Sequence, residues 1–151
     1  ADYLPGFEGA GDRFERHLRF FSEELVAYAV REFGVTTDRA QRVVTGFSNG
    51  GSFSVFAAAR RPDVFGVSIP LSPAWRSLND EDFAGQGRAR FFIGVGLYEI
   101  NRQRRARNHA ETLQSRGYDV TFEILAAGHA PDQEDLLLEH FVPMAFAPRQ
   151  R

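Results

Sequence analysis

The sequence predicts an α/β protein: one domain over residues 1–151, built on a mostly parallel sheet with helices on both faces. Three observations predict it. Four short apolar runs, each bounded by turn residues, read as strands. Helical periodicities separate those runs, which is the alternation that α/β architecture requires. The first three runs lack in/out alternation, as strands covered on both faces do.

The elements follow in order. Phe14, Leu18, Phe21, Leu25, Tyr28 and Ala29 recur at three- and four-residue spacing, and Gly34 follows as a C-terminal cap. Residues 42–47 form the first strand. Residues 51–60 are apolar nearly all round and stop before Pro62, the pattern of a buried helix. Strands at 66–71 and 90–95 come next. A helix over 101–116 places Ala106, Ala110 and Leu113 on one stripe, with Gly117 ending it. The run 119–125 alternates, with Val120, Phe122 and Ile124 opposite Thr121 and Glu123, which suits a sheet edge. Pro131 opens a last helix whose first turn holds Asp132, Glu134 and Asp135, favourable for the helix dipole.

Composition sets bounds on function. With 151 residues, 43% of them hydrophobic, the chain can bury a core. A net charge of -2 and a pI near 6.1 offer no electrostatic reason to bind nucleic acid or an anionic membrane. The chain has no cysteine, so it has no disulfide, thiolate metal site or thiol nucleophile. The longest apolar stretches fall far short of a membrane span.

One motif carries chemistry. Gly46-Phe47-Ser48-Asn49-Gly50 matches G-x-S-x-G, with Gly51 after it. The pattern alone is weak; its setting between an apolar strand and a buried helix is what a nucleophile elbow demands. A serine in so tight a turn needs neighbours without side chains, so glycines on both flanks are expected to avoid a crossing backbone. The turn would lift the Ser48 hydroxyl clear of the sheet. It would also aim the Asn49 backbone N–H, at a helix N-terminus, toward a developing oxyanion. Ser52 and Ser54 lie inside the helix and are poor candidates.

A serine hydroxyl needs a base. Of the four histidines, His17 and His109 fall in helices of mixed polarity and read as solvated, and His140 reads as packing or capping beside Phe141. His129 follows the small-residue loop Ala126-Ala127-Gly128 after the last strand, at the carboxyl edge where open α/β sheets keep their sites. The orienting acid should leave the strand between serine and histidine. Glu99 does so at the opening of a helix, and the order Ser, acid, His is that of the α/β hydrolases. Asp132 is the alternative acid. Glu123 lies mid-strand and faces away. The arginines at 102, 104, 105 and 107 read as a solvated helix face. Trp75, after the second strand, is expected either to line an acyl or alcohol pocket or to cover the core.

These residues, taken together, resemble an esterase family of α/β hydrolases that includes enterochelin esterase-like proteins, the esterase D and S-formylglutathione hydrolase group, and the mycolyltransferases. The matching pieces are Tyr3-Leu4-Pro5-Gly6, Glu23-Glu24-Leu25, Thr37-Asp38-Arg39 and Gly46 to Gly51. Arg61 to Gly66, Leu71-Ser72-Pro73, Gly96 to Glu99 and Gly128-His129 complete the series, in order over nearly the whole chain. Asn49 stands where a methionine is more usual. The resemblance implies the α/β-hydrolase fold, Ser48, Glu99 and His129 as a triad, a small-molecule ester substrate, and no cofactor or metal.

It also implies a gap. Family members are longer, and their upstream part supplies the first strands and the second oxyanion donor, which is not found in this chain. The expectation is the C-terminal portion of a longer domain, lacking the N-terminal strands, with strand 42–47 left to pair with a missing portion or in an oligomer. Three functions stand against one another at this point: hydrolysis through an acyl-enzyme on Ser48, acyl transfer to an alcohol from the same serine, or a catalytically incomplete fragment or binding module.

Overall fold

Chain order and strand order coincide. In the computed structural model, which describes residues 3–8, 11–83 and 85–147 (for 131–133 the backbone only), four strands form one all-parallel sheet in the order β1-β2-β3-β4. They are β1 (Val43–Phe47), β2 (Val67–Leu71), β3 (Arg90–Gly96) and β4 (Asp119–Leu125). Parallel neighbours need crossovers. Helix α3 (Asn49–Arg60) joins β1 to β2, and α4 (Ile100–Ser115) joins β3 to β4; the β2–β3 connection holds only a short 3-10 turn, Asp80–Phe83. Phe47 pairs with Leu71, Leu71 with Gly94, and Gly96 with Leu125, so all four carboxyl ends share one edge.

Side chains alternate across the sheet as the pleat dictates. Phe91, Ile93 and Val95 join Phe53 and Phe56 of α3 and Ala106, Ala110 and Leu113 of α4 in one core. Val67, Ile69, Leu71 and Phe92 face the other way, onto Leu137, Phe141 and Ala145 of α5 (Pro131–Phe146). Ser68 is buried too, and its hydroxyl donates to the Ser54 carbonyl at 3.0 Å. The sheet therefore carries helices on both faces, and β4, paired only with β3, is an edge. No helix of the described residues is long and apolar enough to cross a membrane.

The first helical stripe is only half used. Helix α1 (Arg13–Arg19) runs on through a π-helical turn (Phe20–Leu25) into α2 (Val26–Phe33), and Gly34 closes it in the left-handed conformation at φ 60°. Phe14 and Leu18 are buried, but Leu25 and Tyr28 are 38% and 47% exposed. A π turn holds more residues than an α turn, which rotates a stripe drawn at α spacing off the core. β1 likewise departs from a strand covered on both faces: Thr45 is exposed, and among the described residues β1 pairs only with β2. Phe21, Leu25, Ala29, Val35 and Val43 line a cavity of about 450 Å³ beside it.

Two histidines are not solvated as expected. His17 sits among rings, with Tyr3, Phe21 and Phe53 centroids 5.2, 4.9 and 4.8 Å away. His109 is 1% exposed, edge-on to Phe56, and neither ring nitrogen has a hydrogen-bond partner among the described residues. The reason is its phase, since 109 falls on the stripe of 106, 110 and 113. Burial, foremost, together with the charges of Arg76 and Arg105, pushes its pKa from 6.5 down to about 4, against the pull of Asp82. A depressed folded pKa means that the unfolded chain takes up this proton first. Stability is therefore intact above pH 6.5 and is lost as pH falls toward 4, at up to about 1.4 kcal/mol per pH unit. His109→Phe should flatten the melting temperature between pH 6.5 and 4.5 without lowering it at pH 7, since an apolar replacement of a buried unpaired group is close to neutral.

Candidate active site

Ser48 stands at the corner between β1 and α3 with φ 56° and ψ -113°, a conformation few side chains adopt. Close approach holds it there. Its N–H donates to the Leu71 carbonyl at 2.9 Å. A Cβ on Gly46 would lie 2.5 Å from the Gly50 backbone, and one on Gly51 would lie 2.2 Å from the Leu71 carbonyl oxygen. Gly50 does not share this constraint. Open space surrounds the place of its Cβ, contrary to the expectation that the motif's closing glycine avoids the crossing backbone. The glycine required on that side is Gly51, one residue later. Asn49 is the first residue of α3, so its N–H has no intrahelical partner and is free for a ligand oxygen.

Glu99 and His129 meet at the same edge. His129 Nδ1 lies 2.5 Å from Glu99 Oε1. A carboxylate can only accept, so Nδ1 carries the proton and Nε2 is left with its lone pair. Glu99 is buried, 6% exposed, and its other oxygen accepts from the Gly96 N–H at 2.7 Å and from the Ser72 hydroxyl at 2.6 Å. Arg102 Nε stands 3.6 Å from Oε1. Glu99 thus occupies the N-cap of α4 without capping it, because its side chain turns back into the sheet edge. Two backbone bonds hold the acid turn to the histidine loop: Leu97 N–H to the Leu125 carbonyl at 2.7 Å and Tyr98 N–H to the Ala127 carbonyl at 3.2 Å. The His129 imidazole stacks on Phe47, centroids 4.5 Å apart, and Phe47 is the residue before Ser48. A cavity of about 400 Å³ opens beside the pair, lined by Tyr98, Glu99, Ile100, Asn101, Arg102 and His129.

The other singled-out residues lie elsewhere. Trp75 donates its Nε1–H to the Pro5 carbonyl at 2.7 Å and lies 5.8 Å from the Phe7 ring. It borders a separate cavity of about 310 Å³ with Arg76, Arg104 and Arg105, whose walls include none of Ser48, Glu99 and His129. Arg107 lies over the Phe122 ring at 4.9 Å. His140 pairs with Glu123 at 2.8 Å. The Asp132 side chain lies outside the described residues. Ser72, which sequence reasoning left without a role, is buried against Glu99; its one signal is its place directly after β2, at the edge where the site forms.

The model of the family described as "Putative esterase" matches residues 5–130. The chain belongs to this esterase family. No curated protein matches its sequence. Among solved structures, the chain is similar to an enterochelin esterase from Shigella flexneri, at 18% identity over 97% of this chain and 39% of that one, TM-score 0.74. A ferulic acid esterase from Anaeromyces mucronatus matches at 16% identity over 91% and 56%, TM-score 0.74. An S-formylglutathione hydrolase from Staphylococcus aureus matches at 16% identity over 90% and 64%, TM-score 0.70. The fold is therefore that of the α/β hydrolases, and the chain spans between 39% and 64% of the length of these three.

The clash distances separate the two glycines by experiment. Gly51→Ala should destabilise by about 2 kcal/mol or more, as overpacking against backbone does. Gly50→Ala should be neutral or stabilise by up to about 1 kcal/mol, since alanine is the better helix former. Thermal and urea unfolding of the two variants measure the difference.

Proposed function

We propose that this chain carries the machinery of carboxylic ester hydrolysis, with Ser48 as nucleophile, His129 as base and Glu99 as the acid that orients it. The observation that carries the reading is the Glu99–His129 contact at 2.5 Å, made by an imidazole stacked on the residue preceding Ser48. Family membership and the esterases among the fold relatives support the reaction class.

The chemistry follows from the groups present. The Ser48 oxygen attacks the acyl carbon while His129 Nε2 takes its proton; Glu99 stabilises the imidazolium that forms. The negative charge on the carbonyl oxygen falls to the Asn49 N–H, reinforced by the dipole of α3. Collapse breaks the ester C–O bond, and the departing alkoxide receives the proton from Nε2. Water then repeats the sequence on the acyl-enzyme and frees the acid. An alcohol in place of that water would make the same residues an acyltransferase. The substrate is a small ester; Tyr98 and Ile100, 76% and 77% exposed, offer apolar surface to it beside His129.

A fluorophosphonate probe tests this, since serine attack on phosphorus expels fluoride without requiring deacylation. The native chain should be labelled, Ser48→Ala not at all, and His129→Ala far more slowly; labelling that survives the serine change rejects the assignment. Glu99→Gln should slow labelling on the order of a thousandfold, because an amide favours the wrong imidazole tautomer.

The reading also bears on the open side of the sheet. We propose that the β1 edge pairs with a strand of a second copy when the 151-residue chain is alone, because its backbone groups and the apolar cavity beside it have no partner strand among the described residues. Light scattering after size exclusion should show a mass that rises with concentration. A monomer at every concentration would contradict it.

A further inference from the structure

Among the described residues, two that are not glycine have a positive φ: Ser48 at 56° and Ser72 at 48°. Both follow the last residue of a strand, on adjacent strands, and the backbone ties them together. The Ser48 N–H donates to the carbonyl of Leu71, and the next residue, Ser72, donates its own N–H to the Gly94 carbonyl at 2.7 Å. Left-handed backbone crowds an L side chain, and serine, unlike asparagine or aspartate, is not enriched there. Such a conformation persists only where its surroundings over-determine it, and it gathers at functional sites. At Ser72 the side chain is fully buried, and its hydroxyl donates to Glu99 Oε2.

We infer that Ser72 is a positioning residue for the acid. Its hydroxyl, committed by the strained corner after β2, fixes the Glu99 carboxylate so that Oε1 is presented to His129. The inference rests on the Ser48, His129 and Glu99 reading above. Glu99 Oε2 takes two donors, the Gly96 N–H and the Ser72 hydroxyl, which leaves Oε1 for Nδ1. The Glu99 side chain is 2% exposed, so in the native chain its donors come from the protein and not from bulk solvent. Without the hydroxyl, one N–H alone must hold the carboxylate against rotation, and the carboxylate keeps more of its negative charge on the atom that faces the imidazole. The corner also links acid and nucleophile: Leu71 receives the Ser48 N–H, and its neighbour holds the acid. A displacement of one is passed to the other through a single peptide unit.

A merely structural role predicts the opposite behaviour on substitution, because glycine suits a positive φ better than serine does. Ser72→Gly and Ser72→Ala are compared with the native chain by thermal melting and by the rate of fluorophosphonate labelling as a function of pH. Ser72→Gly is expected to fold and melt close to the native temperature, the relief of the positive φ offsetting the lost hydrogen bond, yet to be labelled about tenfold more slowly. The acid limb of its labelling profile should move to higher pH by about half a unit, since a carboxylate that has lost a donor holds the imidazolium more tightly. Ser72→Ala should show the same slowing and shift with a lower melting temperature. A folded Ser72→Gly labelled at the native rate overturns the inference, as does slowing without movement of the limb. Failure of Ser72→Gly to fold also overturns it, because the hydroxyl would then serve the fold. Absence of labelling in the native chain is a different result: it rejects Ser48 as nucleophile, and the inference falls with that reading.

Discussion

Between the first turn of α3 and the carbonyl of Leu71 there is no room for a methyl group, and the rest of the site is built outward from that contact. Helix α3 leaves β1 and immediately crosses the end of β2, so the connecting residue must turn through a backbone conformation that side chains resist. Gly46 and Gly51 permit the crossing, and Ser48 absorbs the strain. The Leu71 carbonyl, which cannot pair onward beyond the sheet, accepts the Ser48 N–H instead. Position in the crossing, rather than any feature of the serine itself, is what sets this hydroxyl apart from those of Ser52 and Ser54, which donate to the carbonyls of Ser48 and Gly51 in the preceding turn.

Among the described residues, the β2–β3 connection has no α-helix of the kind a crossover normally brings, and charge takes its place. Asp82 is fully buried and accepts from Arg60 of α3 at 2.9 Å, from Arg76 at 2.7 Å and from the Asn79 N–H at 3.0 Å. Burial alone would raise its pKa, but the hydrogen bonds from Arg76, Asn79 and Arg60 hold it below the usual carboxylate value. One carboxylate thus joins α3, the helix that follows Ser48, to the segment that follows Ser72. The cost of burying the charge is offset only while all of its donors are present.

Much of this was legible in the residues, and what escaped did so for physical reasons. Runs of apolar residues between turn formers mark all four strands within a residue, and for β2 and β3, covered on both faces, the unbroken run is the whole pattern. The proposed Ser48, His129 and Glu99 were chosen because each sits where a strand ends, and the sheet brings its carboxyl ends together. Ser72 sits at such an end too. Its importance lies in a φ angle and a contact to a residue 27 positions away, and neither leaves a trace in local sequence. His109 was readable from its helical phase with Ala106 and Leu113, yet the polarity of its neighbours Arg107 and Asn108 masked it. Gly50 misled because a motif records which residues recur, whereas steric need falls on whichever backbone atom happens to be closest.

The asymmetry of the Glu99–His129 pair has a consequence for how the site responds to its medium. The carboxylate side chain is 2% exposed and the imidazole 34%, so the carboxylate is beyond the reach of mobile ions while the ring is open to solvent on one side. Dissolved salt screens charges that it can surround, and a pair such as Arg16–Asp12, exposed on both sides, weakens as the Debye length shrinks. Glu99 and His129 keep their attraction under the same change. The orientation of the imidazole is thereby insulated from the ionic composition of the surroundings, even though the ring itself is in contact with them.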